Sequence, residues 1–127
     1  TQVLTLFPYT TLSDLDARRI DDIAYGFGHF DLQPDEALIV ETKRPDAQYW
    51  GIQWYTFGWY EEPDFLYRQT SLNNRQARVD ADGRVRFVFA ARDPGVPNWI
   101  DTAGHQKGQI TYRWIWSKDR PVPTASA

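Results

Sequence analysis

Two stretches of this chain alternate bulky apolar side chains with a period of two, which leaves the backbone few options. From Tyr49 to Phe57, Trp50, Ile52 and Trp54 fall on one side, and Tyr49, Gln53, Tyr55 and Phe57 on the other. From Gln109 to Ser117, Ile110, Tyr112, Trp114 and Trp116 share one side, with Thr111, Arg113 and Ile115 opposite. An extended strand sends successive side chains to opposite faces, whereas a helix would scatter these residues around its circumference. Both stretches therefore predict β-strands. Bulk on both faces of the first predicts a strand covered on both sides, or one lining a cavity.

The same period recurs elsewhere. Phe30 and Leu32 alternate with His29 and Asp31, residues 37–42 are apolar and β-branched, and Val85, Phe87, Phe89 and Ala91 alternate with Arg84, Arg86 and Arg92. Ala81-Asp82-Gly83 reads as a hairpin turn between strands at 76–80 and 84–92. Residues 3–7 suit an edge strand. One segment departs from the pattern. Ser13 suits a helix N-cap, Asp14 and Asp16 suit the first turn, and Leu15, Ile20, Ile23, Ala24 and Phe27 fall near one helical face. A helix is predicted over 13–25, ended by Gly26. Pro94, Gly95 and Pro97 force the chain out of a strand after Asp93, and the Pro/Ser/Ala-rich end is expected to fray. The expectation is a single all-β, mainly antiparallel domain over residues 1–119. Its form is a jelly-roll-like β-sandwich with one N-terminal helix, followed by a flexible tail at 120–127.

Composition sets further bounds. With 127 residues the chain suits one domain, and six Trp, seven Tyr and seven Phe give it a core without staples and exclude a disordered chain. It has no cysteine, hence no disulfide and no thiolate metal site. It has no methionine either, and a chain opening on Thr1 reads as processed, trimmed or excised from something longer. No apolar run reaches the ~18–20 residues of a membrane span and no signal peptide is visible, so neither a membrane nor a compartment is assigned. A net charge of −3 argues against nucleic acid as a partner. The charge is uneven: residues 13–64 hold twelve acids and four bases, residues 68–92 six arginines and two aspartates. Either the two regions bridge one another across the fold, or the basic stretch builds a pocket for an anion.

From Ala37 onward, blocks such as Tyr67-Arg68-Gln69-Thr70-Ser71-Leu72-Asn73, Asp80-Ala81-Asp82-Gly83-Arg84 and Asp93-Pro94-Gly95-Val96-Pro97-Asn98-Trp99-Ile100-Asp101-Thr102-Ala103-Gly104-His105 carry a resemblance. The chain resembles the C-terminal domain of the bacterial "domain of unknown function 1214" family, over about three-quarters of its length. The last block is its most specific part. The resemblance implies a jelly-roll-like β domain, the terminal piece of a longer architecture or a free-standing relative of it. It implies no reaction.

The segment from Trp99 to His105 is the first candidate for chemistry. It brings a carboxylate, a hydroxyl and an imidazole together beside a Trp, and Asp101 can orient His105 as a general acid or base. The structural alternative has Asp101 bonding nearby backbone N–H groups, Trp99 plugging the barrel end and His105 satisfied in a turn. Arg68 can pair a carboxylate or phosphate bidentately. Asn73 can read a polar ligand or make a turn. Arg113, at mid-strand among large neighbours, is either half of a buried ion pair, with Asp101 or Asp93, or a ligand clamp. Tyr49, Trp54 and Trp99 belong to an aromatic set that packs a core, lines a pocket, or stacks on sugars. No metal site is assigned. His29-Phe30-Asp31 has the spacing of a facial-triad pair, but its second histidine would have to be His105. No cofactor is implied, and no Gly-x-Ser-x-Gly elbow is present.

Three functions fit. The first is a β domain that binds a small apolar or aromatic ligand or a segment of a neighbouring protein, as the terminal module of a larger bacterial protein or a subunit related to one. The second is an enzyme of lyase, isomerase or hydrolase type, with Asp101 and His105 as its acid–base pair and Arg113 or Arg68 as anion clamp. The third is a carbohydrate-binding module using exposed tryptophans. Association into a homo-oligomer, or with a larger partner chain, is compatible with all three.

Overall fold

The alternating segments pair as their periodicity requires. The computed structural model describes the backbone of residues 4–9 and residues 23–127. Nine strands lie among these residues: β1 (Leu4–Tyr9), β2 (Ile23–Asp31), β3 (Ala37–Lys43), β4 (Ala47–Thr56), β5 (Ser71–Asn73), β6 (Arg84–Ala90), β7 (Trp99–Asp101), β8 (Lys107–Ser117) and β9 (Thr124–Ser126). They form a β-sandwich of a five-stranded sheet, in the order β1-β2-β8-β4-β5, and a four-stranded sheet, in the order β7-β6-β3-β9. Every pairing is antiparallel except β6 with β7.

The inner face of the five-stranded sheet is fitted by size. Ala24, Gly26 and Gly28 of β2 stand opposite Trp114, Tyr112 and Ile110 of β8, and at the next inward position the order reverses, Phe30 facing Gly108. On its other side β8 faces Trp50, Ile52 and Trp54 of β4. Small residues on β2 leave room for large ones on β8, and that complementarity brings an interior to crystal-like density. Leu38 and Val40 of β3 face Phe89 and Phe87 of β6 in the other sheet, and Ile100 of β7 pairs with Phe89. Phe30 against Phe89 at 6.3 Å and Trp50 against Phe87 at 6.4 Å join the two sheets. Burial of these side chains away from water holds the layers together.

Several expectations change. Residues 13–22 of the predicted helix lie outside the described residues, and Ile23–Tyr25 at its predicted end are strand, opening β2. Ile23, Tyr25 and Phe27 also alternate, and β8 offers them a ladder over its whole length. Residues 76–80 are no strand. The turn at 80–83 does form, with Asp80 N–H donating to Arg84 O and Gly83 N–H to Asp80 O, both at 2.9 Å. Trp116 leaves its stripe: it has a left-handed backbone (φ 49°) and is 58% exposed. The stretch expected to fray supplies β9, which pairs with β3, and Pro121 O accepts the Trp114 indole N–H at 2.9 Å.

Candidate functional site

Asp101 ends β7, and its side chain is 8% exposed. Oδ2 accepts from Arg68 Nη1 at 2.8 Å and Oδ1 from the Ala103 N–H at 2.7 Å. That hydrogen bond and charge push the Arg68 guanidinium still further up. The main chain of Asp101 is used as well: its N–H donates to Gln69 O at 2.8 Å, and its carbonyl accepts the Trp54 indole N–H at 2.9 Å. No hydrogen bond joins Asp101 to His105 among the described residues. The expected acid–base pair is therefore not formed, because the carboxylate is committed to Arg68 and to the turn that follows it. Trp99 is half-buried and donates its indole N–H to Ala90 O at 3.0 Å. Trp54 is fully buried.

His105 instead faces outward, on the wall of a cleft of about 540 Å³ at one end of the sandwich. Three turns build it: Leu32–Glu36 after β2, Ala91 and Arg92 after β6, and Thr102–Gln106 before β8. The His105 ring lies 5.4 Å from the ring of Trp54, centroid to centroid.

Arg113 and Asn73 do not reach this end. They lie on the outer face of the five-stranded sheet, on either side of Gly51, with Tyr25 beyond Arg113. The Tyr49 hydroxyl leans over Gly51, so close that a Cβ there would sit 2.7 Å from it. Burial and Glu62 push the nearby Tyr55 phenol up, against the opposing pull of Arg113. Asn73 makes a turn: its Oδ1 accepts the N–H groups of Arg75 and Gln76 at 2.9 and 3.2 Å. The expected partnership of Arg113 with Asp101 or Asp93 is absent, because alternation sends Arg113 away from the core. His29 sits between the rings of Phe27 and Phe57, at 6.1 and 5.8 Å. No group of three His, Asp or Glu able to hold a metal occurs among the described residues.

A second surface stands out. Between β4 and β5 the chain makes an arm, residues 57–68. Trp59 is 82% exposed, Leu66 75% and Tyr67 90%, and Phe57, Tyr60 and Phe65 are more than half exposed. Six large side chains exposed within one twelve-residue segment are a concentration beyond the singly scattered surface hydrophobics that need no explanation. The arm is held at both roots. At one, Thr56 N–H donates to Glu61 O at 2.8 Å and Tyr60 N–H to Thr56 O at 3.0 Å. At the other, Arg68 bonds Asp101, Gln69 bonds both Asp101 and Trp99, and Thr70 Oγ1 bonds Glu62 at 3.1 Å. Its signal in the sequence is six large apolar residues among three acids and no base before Arg68, broken by Gly58 and Pro63. Arg92, also missed as a cleft residue, had counted only as the polar side of a strand.

The charge asymmetry is partly resolved within the fold. Arg86 meets Glu41, Asp80 and Asp82, Arg84 meets Glu41, and Arg68 meets Asp64 and Asp101.

No family model matches the sequence, and no curated protein does. Solved structures do. An uncharacterised protein from Burkholderia cenocepacia superposes with a TM-score of 0.78 at 30% identity, over 95% of this chain and 34% of that one. The VPA0106 protein from Vibrio parahaemolyticus superposes with a TM-score of 0.59 at 17% identity, over 81% of this chain and 30% of that one. The chain is thus similar to both in fold, and spans about a third of the length of each.

Proposed function

We propose that this is a binding domain of jelly-roll type that docks, through its aromatic arm, onto a second protein domain. That domain is of the kind that makes up the other two-thirds of chains like the Burkholderia protein. The observation that carries this is the arm: apolar side chains held out into water on a backbone fixed at both ends. A segment already tied down at both roots loses less backbone entropy on docking than a free one. Glu61, Glu62 and Asp64 flank the aromatics, so the receiving groove is apolar with a cationic rim.

A sugar is a poorer fit to the same surface. Phe65 and Leu66 offer sugar hydroxyls no hydrogen bonds, whereas a protein groove rewards them. The acid–base reading lacks its pair, since both Asp101 oxygens are engaged elsewhere.

The test is a chimera in which this chain replaces the matching third of the Burkholderia protein. Trp59 and Tyr67 are expected to become protected from solvent in it, by hydrogen exchange and Trp fluorescence, and Leu66→Asp to reverse that. An arm that stays solvated in the chimera overturns the proposal. So does concentration-dependent self-association of this chain that Leu66→Asp abolishes, since the occupant would then be a second copy.

A further inference from the structure

The end cleft has a chemistry that the arm does not explain. Hydrogen bonds behind it tie its three turns together. Leu32 N–H donates to Gln106 O at 2.8 Å, Thr102 N–H to Ala90 O at 3.2 Å, and His105 N–H to Thr102 O at 2.8 Å. The frame is therefore set before any ligand arrives, which lowers the ordering cost of binding. Leu32 and Thr102 lie buried at its base, and Arg92 and His105 stand exposed at its rim.

Arg92 is the telling residue. Among the described residues Arg92, like Arg44, Arg75, Arg78 and Arg113, has no ion pair and no side-chain hydrogen bond, and of these five it alone lines the cleft. Its planar fork of N–H donors fits a carboxylate bidentately. Gln33 and Gln106 add amide donors to the lining. One carboxylate also lines the cleft, that of Glu36, whose Oε2 accepts the Gln33 N–H at 2.9 Å.

We propose that this cleft binds a small organic carboxylate. The carboxylate sits on Arg92 and His105, and the hydrocarbon body lies over Leu32, Pro34 and Ala91. A volume of about 540 Å³ lies inside the roughly 300–1,000 Å³ of small-molecule sites. The site is independent of the arm: neither Trp59 nor Tyr67 lines it.

The experiment is a titration of the full ¹⁵N-labelled chain with benzoate, followed by two-dimensional NMR. Saturable shifts are expected at the amides of Ala91, Arg92, Gly104 and His105, and at the Trp54 indole, which lies against the His105 ring. Acetate has the charge without the body and is expected to bind at least about tenfold more weakly. Arg92→Gln is expected to weaken benzoate about tenfold or more, while Trp59→Ala leaves it unchanged. Arg92 and His105 are exposed, so their variants keep the fold, and the same spectra verify it. Shifts that do not saturate, or that scatter outside the cleft, overturn the proposal. So does equal affinity in Arg92→Gln, or inorganic phosphate binding more tightly than benzoate.

Discussion

At Asp101 one side chain settles where three parts of the chain meet. Its carboxylate receives a guanidinium from the arm and an N–H from its own turn, almost out of contact with water. Removing a charged acceptor leaves both donors short, while the 44% exposure of the Arg68 side chain lets water repay part of the loss. Asp101→Ala is therefore expected to lose about 2 kcal/mol in urea unfolding. Asp101→Asn, which keeps an oxygen for Ala103, should lose less. Equal stability in all three proteins would show that the pair anchors nothing. Asp82 makes a second case at this scale. Hydrogen bonds from Arg86 and from the Arg84 backbone hold its carboxyl below the usual aspartate range. Because the folded value is depressed, its contribution is fully present above the ordinary value of about 3.9. It is lost as pH falls below that and through the folded value. Carboxyl NMR should show Asp82 titrating low, and returning toward the ordinary value in Arg86→Leu.

The strands show how much of this was legible beforehand. Period-two alternation identified β4, β6, β8 and the part of β2 after Gly26, because one buried face dictates every second residue, while β3 was legible from its β-branched, apolar composition. What it cannot show is which strand lies opposite. Gly26, Gly28 and Gly108 look like breakers in isolation and become space for Tyr112, Ile110 and Phe30 only once β2 and β8 are paired. Gly108→Ala makes this testable. Its Cβ would fall 2.5 Å from a Phe30 ring atom and 2.8 Å from a Trp54 ring atom, both in the core. The expected cost is about 1–3 kcal/mol, read as a lowered urea midpoint. The predicted end of the helix failed at Ile23–Tyr25 for a related reason: spacing compatible with both periods is decided by an available neighbour, here β8. The site was less legible than the fold. Asp101, His105 and Arg113 read as one acid–base site with its clamp, but the side a residue faces separates Arg113, like Asn73, from the cleft.

Across the whole molecule, stability and recognition occupy different places. The core is closed, with no buried side-chain polar atom lacking a partner among the described residues. Tyr67→Ala, at a side chain almost wholly in water, is therefore expected to shift unfolding by no more than about 0.5 kcal/mol. The same change is expected to remove protection of Trp59 in the chimera. A large loss of stability in Tyr67→Ala would instead make the arm part of the fold.

The strand order also sets a timetable for synthesis. β8 lies between β2 and β4 and is the neighbour of both, yet it is translated long after them. Until it leaves the ribosome, β2 has only β1 beside it and β4 only β5. Each offers an open, aromatic-lined edge to whatever is near, the setting in which nascent chains aggregate or recruit chaperones. Partners so distant in sequence also slow the search. The emerging polypeptide should remain protease-sensitive until residues 107–117 are free of the exit tunnel, and then become resistant in a single step.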